Sequence, residues 1–194
     1  MRGKYTNYQK ETTTIRRFKF QPHFAKAICQ WVPDIETLRL IASEQAEKLT
    51  PGLLHLWVER SIEAYCLVKE GSVIAFATIG IREGEFPAGV CEINHLIVAP
   101  DLRRRGYCSI LLSMVVDRIQ EIGFSAAIGR VLPHNIPGLQ LLKKQGWQKI
   151  HESWCDPQFI WFMRPYRMDY EQDSLRRDSY KITGKARALA SRIN

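Results

Sequence analysis

A mixed α/β (α+β) sandwich, with helices on both faces of one sheet, is the fold the sequence predicts, on three observations. Hydrophobic spacing switches repeatedly between the period of 2 of a half-buried strand and the period of 3.6 of an amphipathic helix. The 194 residues, 45% of them hydrophobic, suit one compact domain that folds without a metal or disulfide staple. No internal repeat, low-complexity tract or run of about 18 apolar residues competes with that assignment.

The elements follow in order. Thr14-Ile15-Arg16-Arg17-Phe18-Lys19-Phe20 alternates as a strand does. Phe24, Ala27, Ile28 and Trp31 recur at helical spacing, and Asp34 can cap a helix carrying Leu38, Leu40, Ile41 and Ala46. Thr50-Pro51 starts another helix, with proline tolerated in its first turn. The period then shortens: residues 64–68, the turn Glu70-Gly71 and residues 73–79 read as a hairpin. A Gly- and Glu-rich loop at 83–89 precedes a strand from Val90 to Val98. Arg104 to Ile122 reads as a long helix with Leu111, Leu112, Val115, Val116 and Ile119 on one side, closed by Gly123. Ser125–Val131 is a strand, Asn135–Gln145 a helix closed by Gly146, and 147–155 with 158–164 a last pair of strands. Flanking this domain, residues 1–13 form a basic N-terminus and 167–194 a basic tail. In the tail, Ile182, Ala186, Leu189 and Ile193 mark the apolar stripe of a late helix.

Net charge is +8, yet its placement says more than its size. Residues 1–20 and 175–194 carry +5 each, which leaves the remaining residues at −2. The domain is therefore not obviously built around a polyanion. Five cysteines, an odd number without CxxC spacing, read as cytosolic thiols. The first residues lack the apolar segment of a secretory signal, so a cytoplasmic protein is expected. Cys91 with His95, and His151 with Cys155, would lie about 13 Å apart along strands, which disfavours a zinc site; no metal is expected.

The chemistry is concentrated in Glu92-Ile93-Asn94-His95-Leu96-Ile97-Val98-Ala99-Pro100-Asp101-Leu102-Arg103-Arg104-Arg105-Gly106-Tyr107-Cys108-Ser109. A strand, a short turn, three arginines and a glycine lead into a helix. Helix starts leave backbone N–H groups unpaired and carry partial positive charge. A glycine there lets an anion come close, and arginines add charge-assisted contacts, so the segment can cradle phosphate. Neither a P-loop nor a dinucleotide-binding Gly-x-Gly-x-x-Gly is present.

Val98 and Pro100, followed by Arg103, Gly106 and Cys108, resemble the acetyl-CoA signature of the GNAT superfamily of acyl-CoA-dependent N-acetyltransferases. That signature is Arg/Gln-x-x-Gly-x-Gly/Ala after a strand ending near Val-x-Pro. Asn135-x-x-Gly138-x-x-Leu141, then Gln145-Gly146-Trp147, is similar to the family's Asn-x-x-Ala-x-x-Leu…Gly-Phe segment. The likeness spans residues 14–164. It implies a GNAT-like, mostly antiparallel sheet whose strands near 92–98 and 125–131 splay apart to admit acetyl-CoA. Backbone groups of Leu96, Ile97 and Val98 would pair with the pantetheine arm. The amides from Arg104 through Arg105, Gly106, Tyr107 and Cys108 to Ser109 would hold the pyrophosphate, and Asn135 would face the pantetheine or the thiol.

Transfer to an amine requires a neutral nucleophile and hence a base. Glu92 is the first candidate, because it stands where histone-acetylating relatives carry their basic glutamate. His95 is the rival; on a regular strand it points to the opposite face, and a bulge would bring the two together. Two positions depart from the family. Leu142 stands where relatives often carry a tyrosine acid, leaving the departing thiolate to water or a residue such as His134. Cys108 stands where Gly or Ala is usual. The tryptophans 31, 57, 147, 154 and 161 read as core or substrate-wall residues.

The expected activity is acetyl transfer from acetyl-CoA to a primary amine by direct attack in a ternary complex, with the loop 83–89 and helices 21–62 shaping the acceptor site. The acceptor is expected to be a small-molecule or protein amine. An acyl-CoA-binding regulatory module without turnover is one alternative. Acetylation of an RNA-borne amine such as aminoacyl-tRNA, disfavoured by the slightly acidic middle, is another. No membrane span is expected, and the sequence leaves a homodimer open.

Overall fold

The computed structural model describes residues 15–42, 46–81 and 88–166. The basic N-terminus, most of the loop at 83–89 and the striped tail lie outside the described residues.

Seven strands form one sheet. β1 (Ile15–Lys19) is followed by three short helices, α1 (Ala25–Gln30), α2 (Ile35–Arg39) and α3 (Pro51–Glu59). Next come β2 (Glu63–Lys69), β3 (Ser72–Gly80), β4 (Val90–Val98), α4 (Tyr107–Glu121), β5 (Ala126–Val131), α5 (Ile136–Lys144), β6 (Gln148–Ile150) and β7 (Ile160–Pro165). The spatial order is β1-β2-β3-β4-β5-β7-β6, antiparallel throughout except where β4 meets β5.

Both faces are covered, as the alternation along each strand requires. Tyr65 and Leu67 of β2 and Ile79 of β3 pack with Leu111, Leu112, Val115 and Ile119 of α4. Cys66 and Phe76 point the other way, into Phe24, Ile28, Leu38, Leu54 and Trp57 from α1–α3 and the turn ahead of them. Strand alternation therefore divides the core into two layers, one per helical face.

Three boundaries differ from the sequence expectation by three or more residues, each for a local reason. α2 stops at Arg39 rather than running to Ala46, because its last turn tightens: Ile41 N–H donates to Leu38 O at 3.0 Å. α4 begins at Tyr107 rather than Arg104, because Arg104 (φ 65°) and Gly106 (φ 86°) are both left-handed. β6 ends at Ile150 rather than Cys155. There the chain makes a turn in which Cys155 N–H reaches Glu152 O, and Asp156 accepts from Gln158 N–H at 2.9 Å. The hairpin turn is as expected, with Glu70 (φ 51°) and Gly71 (φ 78°) both left-handed, the geometry of a two-residue loop matched to strand twist.

Two irregularities create the site. β4 and β5 pair only as Val90 with Ala126, Cys91 with Ala127 and Glu92 with Ile128. Past that point the strands part, in the splay expected near 92–98 and 125–131. One step further on, the β3–β4 register shifts: Thr78 faces Asn94, whereas Phe76 faces Ile97. That is a β-bulge, and His95 sits in it with φ 52°.

Candidate active site

A cleft of about 1050 Å³ opens where β4 and β5 separate and runs to the start of α4. Its two ends are built differently.

At the α4 end, Gly106 is the N-cap, left-handed, and a Cβ placed on it would meet nothing within 4 Å. The first backbone bond into the helix runs from Ile110 N–H to Gly106 O at 3.1 Å, so the amides of Tyr107, Cys108 and Ser109 are the donors a helix start leaves over. All three residues line the cleft, as do Arg103, Arg104 and Gly106; Arg105 is exposed and lies outside the lining. An open glycine beside unpaired amides at a positive helix end fits a phosphate. Arg103 does something else with its side chain. Its Nε donates to Val98 O at 3.3 Å and its Nη2 to Trp31 O at 3.4 Å, bracing the end of β4 against the segment after α1. Burial pushes the Cys108 thiol up to about 12, so it stays protonated near neutral pH.

Leu96, Ile97 and Val98 line the middle of the cleft. On one side Ile97 and Val98 pair with Phe76 and Ala75 of β3. On the other, among the described residues, no strand lies beside them, because β5 has already turned away. Their edge can take an extended ligand arm as an added strand takes a sheet edge. Asn135 also lines the cleft, but its side chain works as a cap: Oδ1 accepts from Gly138 N–H at 3.1 Å, and Nδ2 donates to Leu40 O at 3.4 Å. Gly138 fits that close approach. A Cβ there would come within 3.0 Å of Val131 Cγ1 and 3.1 Å of Asn135 Nδ2.

At the far end, side chains from four elements converge. Glu92 of β4 is 1% exposed; Arg130 Nε of β5 lies 3.1 Å from its Oε1, and Asn94 Nδ2 donates to its Oε2 at 3.2 Å. Arg130 is itself held over the rings of Phe159, at 4.8 Å, and Trp161, at 5.8 Å. His95 stacks on Trp57 of α3 with ring centroids 3.9 Å apart and planes within 6°. Its Nδ1 is 2.9 Å from the buried Thr78 Oγ1 of β3. The bulge thus brings Glu92 and His95 to the same cleft although they are three residues apart on one strand. His134 is not brought there. It is exposed in the turn before α5 and is not among the residues lining the cleft. Leu142 is, at 6% exposed, and offers no proton.

Arg130, Thr78 and Asn94 escaped the sequence reading, and Trp57 stayed one of five tryptophans in it. Arg130 left one signal, a charge inside the otherwise uncharged strand Ala126-Ala127-Ile128-Gly129-Arg130-Val131. Thr78 and Asn94 left none, because ordinary strands carry such residues.

A family model described as "Acetyltransferase (GNAT) family" matches residues 26–147. No curated protein matches the chain. Among solved structures, the ribosomal-protein-S18-alanine N-acetyltransferase from Escherichia coli is similar with a TM-score of 0.60 and 16% identity, over 81% of this chain and 97% of that one. Ard1 from Thermoplasma volcanium gives 0.59 and 19%, over 80% and 99%. The PaiA N-acetyltransferase from Thermoplasma acidophilum, solved in complex with coenzyme A, gives 0.63 and 16%, over 79% and 99%. At such identities these structures share its fold. No helix among the described residues is long and apolar enough to cross a membrane.

Proposed function

Since the chain belongs to the GNAT acetyltransferase family, a family of acyltransferases, we propose that it moves an acetyl group from acetyl-CoA to a primary amine bound in the same cleft. The observation that carries this reading is the α4 start, where Gly106 has open space before it and the following amides lack helical partners. These donors would hold the pyrophosphate, with Arg104 beside them, and the edge of Leu96–Val98 would hold the pantetheine arm. Acetyl-CoA supplies the activated acyl group; the protein's part is to align it with the amine and to move protons.

His95 is the base this reading favours. With the Nδ1 proton donated to Thr78 Oγ1, Nε2 carries the lone pair that takes a proton from the amine, and Trp57 fixes the ring plane. Glu92 already has both oxygens engaged, by Arg130 and Asn94, which supports a positioning role for it. As the amine nitrogen bonds the carbonyl carbon and the carbon–sulfur bond breaks, one proton passes to His95 and the sulfur departs as thiolate. Neither Leu142 nor the exposed His134 meets that thiolate with a proton. Water supplies it, or His95 returns the one it took. A Cys108 thiol held up by burial is a poor acyl acceptor, which supports direct attack over an acyl-cysteine route.

The test is free-thiol release from acetyl-CoA across a panel of amines. Amine-dependent release is the expected result. Tight coenzyme A binding with no amine accelerating release would leave the acyl-CoA-binding module standing instead.

A further inference from the structure

The cleft is cationic beyond what the domain's charge suggests. Arg39, Arg60, Arg103, Arg104, Arg130 and Lys144 line it, and Glu92 is the one carboxylate among its described lining residues. Most of these cations have an assigned task. Arg130 pairs with Glu92, Arg39 lies 3.6 Å from Glu36, Arg103 binds two carbonyls, and Arg104 stands beside the helix start. Neither the Arg60 guanidinium nor the Lys144 ammonium at the end of α5 has an ion pair or hydrogen bond among the described residues, and both residues are exposed; of the two, Arg60 lies on the Trp57 side.

Its position gives it meaning. Arg60 is the C-cap of α3, still in helical conformation and three residues after Trp57, so the two lie on one face with Cβ atoms roughly 5–6 Å apart. Trp57 is the ring on which His95 stacks. Two residues on, Ile62 N–H donates to Ile79 O at 2.8 Å, which sets this corner level with the end of β3, where Gly80 faces Glu92. Arg60 therefore lines the cleft on the Trp57 side, toward the end of β4 opposite to the α4 amides.

Among the described residues, a polyamine or lysine-rich acceptor would meet cations here and no carboxylate outside an ion pair. An anionic group would meet a guanidinium able to bind it through two parallel N–H donors. Building on the transfer reading above, we propose that the acceptor is a small amine bearing an anionic group, a carboxylate or a phosphate, a few bonds from the nitrogen. Arg60 holds that group while the amine faces His95.

The experiment compares amino acids, each with its carboxamide and its aminophosphonate, and spermidine, by steady-state thiol release. The wild-type protein should prefer the acid or the phosphonate over the carboxamide by tenfold or more in kcat/KM; whichever of the two leads identifies the anion. Arg60→Ala should raise KM for the anionic acceptor at least tenfold more than for its carboxamide, with kcat little moved, and Arg60→Lys should recover part of the loss. Equal or better use of carboxamides or spermidine by the wild type overturns the inference while leaving acetyl transfer intact, as does an Arg60→Ala loss that ignores acceptor charge. If no amine in the panel releases thiol, the transfer reading fails and this inference with it.

Discussion

At the α4 end of the cleft the groups on offer are main-chain amides, an open glycine and the bare edge of a strand. At the α3 end they are the side chains of Trp57, Thr78, Glu92, His95 and Arg130, drawn from α3, β3, β4 and β5. The first end is one continuous stretch of chain; the second exists only after the sheet has formed. Backbone groups present the same donors whatever residues surround them, so that end suits an invariant diphosphate carrier. Side chains drawn from separate elements can be exchanged one at a time, so the other end can be fitted to an acceptor.

The sharpest way to break this comparison is at His95. His95→Ala should lower kcat by about 10²–10⁴-fold, the usual worth of a positioned base, while coenzyme A affinity stays within about twofold. Calorimetry and thiol release together separate the two effects. Glu92→Gln should cost less. If Glu92→Gln abolishes turnover and His95→Gln spares it, the roles are reversed.

Next in size is the ion pair behind them. Arg130→Ala leaves the Glu92 carboxylate 1% exposed without its cation, a change expected to cost about 3–5 kcal/mol. Chemical denaturation measures it. A loss below about 1 kcal/mol would mean that water reaches Glu92 and that this end is less built than the geometry implies.

The smallest effect belongs to the frame that carries both ends. Burial alone would raise the Glu63 carboxyl, but Arg118, Tyr65 and Lys19 outweigh it and hold it at about 2, below the ordinary 4.5. A depressed folded value stabilises the protein above the unfolded value, and that contribution drains away as pH falls from 4.5 toward 2. Arg118→Met should lower the midpoint of thermal unfolding at pH 7 by a few degrees and flatten its fall across that window. Acetyl transfer at neutral pH should be unchanged; a large loss of kcat would tie the two regions together more closely than this account does.

The same division explains what the sequence made legible. The α4 end was readable because Arg103–Ser109 is a contiguous string whose glycine and helix start act where they stand. The splay was read only through family resemblance, since no residue type is needed where β4 leaves β5. His95 was visible as a candidate, yet its rank depended on a bulge, and no residue between Asn94 and Ile97 announces one. Arg130 pairs with Glu92 across 38 positions of sequence, and Trp57 reaches His95 across the same number, so neither partnership leaves a local pattern. Arg103 shows the opposite failure. It belongs to the legible motif, but its side chain grips carbonyls of Val98 and Trp31 rather than pointing at a ligand's phosphate.

Titrating coenzyme A into the wild-type protein and into Gly106→Val by calorimetry tests the backbone-built end directly. One site per chain is expected in the wild type and at least tenfold weaker binding in the variant, because a branched side chain would fill the space in front of the amides. Absence of heat with the wild type, or equal affinity in a folded Gly106→Val protein, would contradict it.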